Sequence, residues 1–242
     1  MRPEEILKHT EHRPWPIPDS SWKIYQEWQD VIFLHYKVDI DALKNYVPAE
    51  LSIDTFDGDA WISVVAFTTR NVKPRGLPSF SPLSDFHEIN IRTYIKDGKR
   101  SGIYFLSLEA AKIISAELTK LITELPYIFT EINREKGLFS GKNKDYNSFF
   151  DVKYEVKEIK EKDKLDSWLM ERYALFQDGR EHIIVFEVLH QPWELRNLNL
   201  TSKMIKYPPF AGFFINEPDR LGYSPGVEVL VWGKEKWKSS IV

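Results

Sequence analysis

The dipeptide Asp-Gly occurs three times in this chain, as Asp57-Gly58, Asp97-Gly98 and Asp178-Gly179, each time between two strand-like runs. Asp and Gly both tolerate positive φ angles, so this dipeptide between apolar runs is a strong signal for a β-hairpin turn. The three predicted hairpins join Leu51–Phe56 to Trp61–Thr68, Glu88–Ile95 to Ser101–Leu108, and Arg172–Phe176 to His182–Leu189. So many hairpins favour an antiparallel sheet that is closed or nearly closed.

Five other runs have the composition of strands, and helices are few. The strand-like runs are Ser21–Glu27, Val31–Tyr36, Asp151–Ile159, Ala211–Phe214 and Val227–Trp232. The predicted helices run from Asp39, the capping residue, to Val47, from about Glu109 to Glu124, and from Leu165 to about Arg172. The predicted fold class is therefore mostly β (α+β), a β-barrel-like antiparallel structure with a few peripheral helices.

The length and composition of the chain fit one folded unit. With 242 residues, of which 43% are hydrophobic, the chain can bury one large core, and we predict a single domain over residues 1–242. Residues 1–20 are predicted to form an extended arm, because the prolines of His12–Pro18 lack amide donors and bias the residues before them to extended geometry. We expect Trp15 and Ile17 to hold this arm against the body.

Charge and composition argue against several classes of function. The net charge of -3 and the pI near 6.1 give no basic field for nucleic acid. Cysteine is absent, which excludes disulfides, thiolate metal sites and a cysteine nucleophile. The charged first ten residues are not a secretory signal, and no apolar run has the length of a membrane span. We therefore predict a cytoplasmic protein with no nucleic-acid or membrane partner, and a homo-oligomer stays open.

The central hairpin has one apolar face and one polar face. If Asp97-Gly98 is its two-residue turn, Lys96 faces Lys99 and Glu88 faces Ser107. Strand alternation then places on the polar face Glu88, Asn90, Arg92, Tyr94, Phe105, Ser107 and, at its end, Glu109. A mixed polar and aromatic face is typical of the inside of a barrel that keeps a ligand cavity.

The polar face is compatible with a catalytic or ligand-binding role and also with a purely structural role. Arg92 has the geometry to bind a carboxylate through two parallel hydrogen bonds. Glu88 and Glu109 are candidate acid–base groups if burial raises the pKa of one of them towards neutrality. Asn90, Tyr94, Phe105 and Ser107 are candidate ligand contacts. The alternative is a buried arginine–glutamate pair with a purely structural role.

Two histidines and one further glutamate complete the candidate residues. His35 ends a mostly apolar strand, and His190 follows the strand His182–Leu189, so both are candidate ligand contacts or structural residues. Glu187 lies in an apolar strand and needs a partner, for which Arg172 or Arg196 is available. The histidines have no metal-binding spacing and no glycine-rich phosphate loop occurs, so neither a metal nor a cofactor is expected.

Several stretches of the chain resemble a known family. They are His12–Pro16, Leu51–Gly58, Asn90–Tyr94, Gly102–Glu109, Leu125–Tyr127 and Glu171–Phe176. These stretches resemble the YqjF-like family of uncharacterised bacterial proteins, over nearly the whole chain. Tyr36–Leu43 and Val47–Asp54 are similar to a segment of the acetoacetate-decarboxylase-like superfamily. The resemblance implies a β-barrel-like fold with an internal cavity.

The mechanism of that superfamily does not transfer to these residues. Its decarboxylases use a lysine that forms a Schiff base with a β-keto acid, beside a second lysine that lowers the pKa of the first. Aligning the decarboxylase glutamate on Glu109 places the nucleophile near Ser115, and no Lys-Lys pair occurs in the chain. Lys112 is the nearest lysine. The position of the substrate-binding arginine falls near Gln29.

Three hypotheses for function follow from the sequence. The first is an enzyme without a Schiff base that acts on a small carboxylated or carbonyl compound, with Arg92 as anion ligand and Glu88 or Glu109 as proton carrier. The second is a non-catalytic small-molecule binding or sensing protein that uses the same cavity. The third is residual Schiff-base chemistry through Lys112.

Overall fold

The computed structural model describes residues 3–80, 84–112 and 124–237. Strands dominate the described chain, and helices are short. The strands are β1 Ile24–Val38, β2 Ala60–Pro74, β3 Phe86–Asp97, β4 Arg100–Ala110, β5 Tyr127–Phe129, β6 Glu131–Glu135, β7 Leu138–Asn143, β8 Ser148–Ile159, β9 Ala174–Asp178, β10 Ile183–His190, β11 Arg196–Lys206, β12 Arg220–Val231 and β13 Glu235–Lys236. The α-helices are α1 Pro3–Leu7, α2 Ile40–Leu43 and α3 Lys164–Met170. Within these described ranges, no helix is long and apolar enough to cross a membrane.

Seven strands close into a ring, and the other long strands cover part of it. In order, the ring contains β9, β4, β3, β2, β1, β12 and β10, and it closes because β10 pairs with both β12 and β9. All pairings in the ring are antiparallel except that of β4 with β9, which is parallel. The sheet continues from β12 into four further strands, here called the outer sheet: β11, β8, β7 and β6. The predicted mostly β, barrel-like class is confirmed.

The two largest apolar clusters of the described chain follow from this arrangement. The inner core fills the ring with side chains such as Phe33, Val65 and Phe105. The outer core lies between the outer face of β1–β3 and the outer sheet, where Ile91 packs in the same cluster as Phe150. Alternation of inward and outward side chains on β1, β2 and β3 explains why these strands serve both cores.

Two of the three predicted hairpins are present, and the first is wrong. The pairs β3–β4 and β9–β10 are antiparallel hairpins. Asp57-Gly58 does form a tight turn with positive φ at both residues, bridged by Phe56 and Asp59. However, residues 51–56 form no strand beside β2, because both edges of β2 are occupied by β1 and β3. Ile53 bridges to Ile95 instead.

Other local predictions have mixed outcomes. The predicted strands Ser21–Glu27 and Val31–Tyr36 are parts of one strand, β1, which begins only at Ile24 and is irregular near Asp30, where φ is 54°. Ala211–Phe214 is not a strand but lies largely in a short 3-10 helix, Pro208–Phe213. Asp39 caps α2 as predicted, and Asp163 caps α3 in a reciprocal arrangement with Asp166. The helix predicted from Glu109 does not begin there, because β4 extends to Ala110; residues 113–123 lie outside the described residues.

The first twenty residues contact the ring through a buried ion pair. After α1, the Arg13 guanidinium binds the Glu187 carboxylate, and the Trp15 indole donates to the same carboxylate at 2.9 Å. Arg100 approaches it from β4 at 3.3 Å. The predicted anchoring by Trp15 is confirmed, and Ile17 packs against a cluster around Trp22. The predicted partners of Glu187, Arg172 and Arg196, are wrong: the arm supplies a cation that strand patterns do not reveal.

The parallel pairing of β4 with β9 depends on a glycine. A Cβ atom at Gly102 would lie 2.6 Å from the Ala174 carbonyl oxygen and 2.7 Å from the Phe176 ring. Gly102→Ala should therefore lower the free energy of unfolding by about 1–3 kcal/mol, because backbone cannot move aside cheaply. Urea unfolding measures this. The control is Gly212→Ala, whose added Cβ meets nothing within 4 Å; equal losses in both variants would contradict the prediction.

Candidate functional site

The inward side of the ring and the segments beside it line a partly open cavity of about 390 Å³. Side chains from all seven ring strands line it, as the inward half of each strand's alternation requires. Its apolar lining is Ile24, Trp28, Val72, Pro74, Pro78, Phe80, Phe86, Ile103, Phe105, Leu125, Met170, Ala174, Leu175, Phe186, Val188, Trp193 and Val231. Its polar lining is Gln26, Ser84, Glu88, Arg92, Tyr127, Arg172 and His190. A mostly apolar cavity with a few convergent polar groups is typical of a small-molecule site.

Glu88 is a buried carboxyl group in the cavity wall. Its side chain accepts hydrogen bonds from Asn90 Nδ2 at 3.2 Å and from the Tyr127 hydroxyl at 3.0 Å. Burial raises the pKa of Glu88 from 4.5 to about 7, although these hydrogen bonds and the charge of Arg92 act in the opposite direction. A carboxyl group with a pKa near neutrality can both donate and accept a proton at physiological pH.

Arg92 lines the same cavity four residues further along β3. It is 8% exposed, and within the described chain no carboxylate lies at ion-pair distance from its guanidinium. Its Nε atom is buried without a hydrogen-bond partner, and Tyr94 is its hydrogen-bonding neighbour. Because an arginine stays protonated in proteins, the cavity wall carries a positive charge whose hydrogen-bonding capacity is only partly used.

Arg172 is a second guanidinium in the wall, and it is paired. Its Nη1 atom lies 2.6 Å from Asp54, and its Nε donates to the Trp168 carbonyl at 2.6 Å. The guanidinium also lies over the rings of Trp168 and Tyr94, at 4.1 and 4.8 Å from their centroids. Asp54 therefore offsets the charge of Arg172, whereas Arg92 has no such partner.

Tyr94 and His35 lie inside the ring beside Arg92 but are not among the described residues that line the cavity. The Tyr94 hydroxyl lies 2.5 Å from Ser63 Oγ, which lies 2.6 Å from His35 Nδ1. Burial and the nearby charge of Arg92 lower the pKa of His35 well below its usual 6.5, so this histidine is neutral at pH 7. The hydrogen bonds from His35 through Ser63 to Tyr94 thus hold the Tyr94 phenol beside Arg92.

His190 lines the cavity from the end of β10. Its Nδ1 donates to the Gln191 carbonyl at 2.8 Å, and its ring packs between aromatic neighbours that include Tyr173 and Trp193. Burial lowers the pKa of His190, with the Glu171 carboxylate acting the other way.

The structure separates Ser107 and Glu109 from the other predicted site residues. The turn of the central hairpin is Gly98-Lys99 rather than Asp97-Gly98, because Asp97 pairs with Arg100. A β-bulge then follows: Arg92 pairs with Phe105, but Ile91 pairs with Ser107. The extra residue reverses the alternation, so Ser107 and Glu109 join the face of Ile91 in the outer core.

Glu109 is buried in that second environment. Hydroxyl groups of Thr130, Tyr207 and Ser107 hydrogen-bond its carboxyl group. Burial raises the pKa of Glu109 above its usual value, and the hydroxyls oppose the rise. Glu109 therefore does not share the cavity with Arg92, and the expectation that it does is wrong.

The predicted residues thus divide into three groups. Glu88, Arg92, Phe105 and His190 line the cavity, Asn90, Tyr94 and His35 contact that wall, and Ser107 and Glu109 lie on the other face. Sequence patterns missed Arg172, Tyr127 and Trp28. Of these, only Trp28 had a usable signal, because it alternates with Ile24 and Gln26 on β1. None of the described residues lining the cavity is a lysine.

The chain is similar to proteins of known sequence and structure. The profile of the DUF2071 family, described as an uncharacterized conserved protein, matches residues 25–228. The uncharacterized protein YqjF of Bacillus subtilis (strain 168) is 33% identical over 230 residues, covering 91% of this chain and 95% of that protein.

Two solved structures have a similar fold at low identity. An acetoacetate decarboxylase-like enzyme from Sphingomonas wittichii RW1 has a TM-score of 0.63 and 15% identity, covering 94% of this chain and 98% of that one. The enduracididine biosynthesis enzyme MppR, complexed with pyruvate, has a TM-score of 0.59 and 12% identity, covering 91% of this chain and 93% of that one. At sequence identities of 12% and 15%, the similarity to these two structures shows a shared fold only.

The pKa of Glu88 makes a prediction about stability. Unfolded Glu88 loses its proton near pH 4.5 and folded Glu88 near pH 7, so stability falls as pH rises between these values. Relative to wild type, Glu88→Gln should gain on the order of 2–3 kcal/mol between pH 4.5 and pH 8. Urea unfolding at both pH values measures this difference in unfolding free energy. Any destabilisation by the substitution that is the same at both pH values cancels. If Glu88→Gln and the exposed control Glu181→Gln show the same pH dependence, Glu88 does not titrate near neutrality.

Proposed function

Because this chain belongs to the DUF2071 family of uncharacterized conserved proteins and shares its fold with acetoacetate decarboxylase-like proteins, we propose that it is an enzyme acting on a small carboxylated compound. Its resemblance to the YqjF-like family, drawn above from sequence, is confirmed. In the proposed reaction, Arg92 binds the carboxylate and Glu88 transfers a proton at a carbon next to a carbonyl group.

The observation that carries this proposal is the state of Arg92. A buried guanidinium is costly unless it is paired, and within the described residues Arg92 has neither a carboxylate partner nor a partner for Nε. The same side chain lines the cavity. A ligand carboxylate in the cavity supplies the missing charge and two acceptor oxygens in the geometry that a guanidinium prefers.

Glu88 supplies the acid–base function. Its pKa of about 7 means that roughly half of the molecules have a carboxylate base at neutral pH, and the rest a carboxylic acid. With a 2-oxo acid bound, the carboxylate takes a proton from C3, and the electron pair of the C–H bond forms the enolate. Return of a proton from Glu88 to the same carbon completes the cycle. Tyr127 and Asn90 keep the carboxyl group oriented.

A Schiff base is not part of this proposal. Lysine is absent from the described cavity wall, and Lys112 is not among the residues that line it. MppR, which has a similar fold, is complexed with pyruvate. Pyruvate is a small 2-oxo acid, which is the class of compound that the Arg92–Glu88 wall is suited to bind and deprotonate.

Arg92→Gln should weaken the binding of a 2-oxo acid at least tenfold, because it removes the only positive charge of the described cavity wall that has no carboxylate partner. Isothermal titration with 4-methyl-2-oxopentanoate measures the effect. The control is Arg196→Gln, which removes an arginine paired at the surface with Glu194. Cooperative unfolding of Arg92→Gln must be preserved; a folded variant that binds as tightly as wild type would exclude the assigned role.

Proton transfer can be tested without knowing the natural reaction. In D₂O, the wild-type protein should speed exchange of the C3 protons of 4-methyl-2-oxopentanoate, followed by ¹H NMR. The rate should rise from pH 5 to pH 8 and level off above the pKa of Glu88, because the ionised form is the base. Glu88→Gln should abolish the acceleration. Binding without any acceleration would instead favour a non-catalytic binding or sensing protein, which uses the same cavity.

A further inference from the structure

The wall of the cavity is far more apolar than a three-carbon acid needs. Of the twenty-four described residues that line it, seventeen are apolar, and six of these are aromatic: Trp28, Phe80, Phe86, Phe105, Phe186 and Trp193. A ligand made only of a carboxylate and a carbonyl would leave these surfaces against water, which is unfavourable. The composition of the wall therefore indicates a ligand with apolar surface of its own.

The charged groups of the described wall all lie on one side of the ring, whereas its apolar residues come from every ring strand. Glu88 and Arg92 come from β3, and Arg172 precedes β9; these two strands are both neighbours of β4. The strands across the ring, β1, β12 and β10, contribute Ile24 and Trp28, Val231, and Phe186 and Val188. Gln26 and His190 are the polar residues on that side, and both are uncharged at neutral pH.

The aromatic side of the wall is preorganised. The Trp28 ring stacks on Trp193 with a centroid distance of 6.0 Å and an interplanar angle of 13°. Phe67 and His190 contact the same indole at 5.7 and 6.2 Å. Rings held in this way offer a flat surface without losing further rotamer entropy when a ligand binds.

From these features we infer that the ligand is a monocarboxylate with an aromatic or branched apolar body, bound with its carboxylate at Arg92 and its body against the Trp28–Trp193 side of the ring. This inference rests on the proposed carboxylate site and specifies its substrate class. The cavity volume of about 390 Å³ agrees with this inference, because small-molecule sites that hold ligands larger than pyruvate typically measure ~300–1,000 Å³.

A matched set of probes tests the inference. Isothermal titration compares propanoate with 3-phenylpropanoate, pyruvate with 2-oxo-4-phenylbutanoate, and 3-phenylpropanoate with its neutral amide. Each phenyl-bearing acid should bind at least tenfold more tightly than its short counterpart, a difference of about 1.4 kcal/mol. The amide should bind at least tenfold more weakly than the acid.

Two variants on β10 locate the apolar body. Val188→Phe fills part of the cavity and should weaken 3-phenylpropanoate at least tenfold while leaving propanoate within threefold. Leu189→Val changes the next residue, whose side chain lies in the cluster around Trp22 and is not among the residues lining the cavity; it should preserve both affinities within threefold, which controls for disturbance of β10. Unfolding of each variant is followed by urea to verify that it is folded.

The outcomes separate this inference from the proposal on which it rests. If short and phenyl-bearing acids bind equally, and binding depends on Arg92, the apolar specificity is wrong and the carboxylate site stands. If acid and amide bind equally, or no acid binds, the carboxylate site itself is wrong. If a folded Val188→Phe retains full affinity for 3-phenylpropanoate, the body does not lie against β10.

Discussion

Closure of the seven-stranded ring is the constraint on which the other features of this protein depend. Until β10 pairs with β12 on one side and β9 pairs with β4 on the other, the inward face of β3 is an open sheet face exposed to water. Closure takes Glu88 and Arg92 out of solvent together. Ring closure therefore explains both the raised pKa of Glu88 and the unpaired Nε of Arg92.

Burial affects Glu88 and Arg92 in different ways, and the proposed site depends on that difference. A carboxyl group can respond to a low-dielectric surrounding by keeping its proton, and Glu88 does so near neutrality. A guanidinium cannot lose its charge in this way, so Arg92 needs a counter-charge from elsewhere. Asp54 meets that need for Arg172 but not for Arg92. This asymmetry between two neighbouring arginines is the basis of the proposed anion site.

The parts of this picture that could be predicted from sequence are those that depend on local periodicity. Alternation along β3 correctly placed Glu88 and Arg92 on one face, and Asp-Gly correctly marked two hairpins. The bulge at Leu106 could not be predicted, because it arises from how β4 fits the twist of its partner, and it moved Glu109 to the other core. Arg172 and Tyr127 were missed for a different reason: they reach the cavity through strand pairings between distant segments, and neither has a repeating pattern.

The ion pair between Arg13 and Glu187 gives the arm an influence over a cavity that it does not touch. Glu187 points outward from β10, whereas its sequence neighbours Phe186 and Val188 point inward and line the cavity. His12 adds a hydrogen bond to the carbonyl of His190, at the end of the same strand. This part of the cavity wall is thus held from outside by residues 174 and 178 positions away in the chain. A substitution among the first twenty residues would therefore change how β10 is held without changing any described residue that lines the cavity.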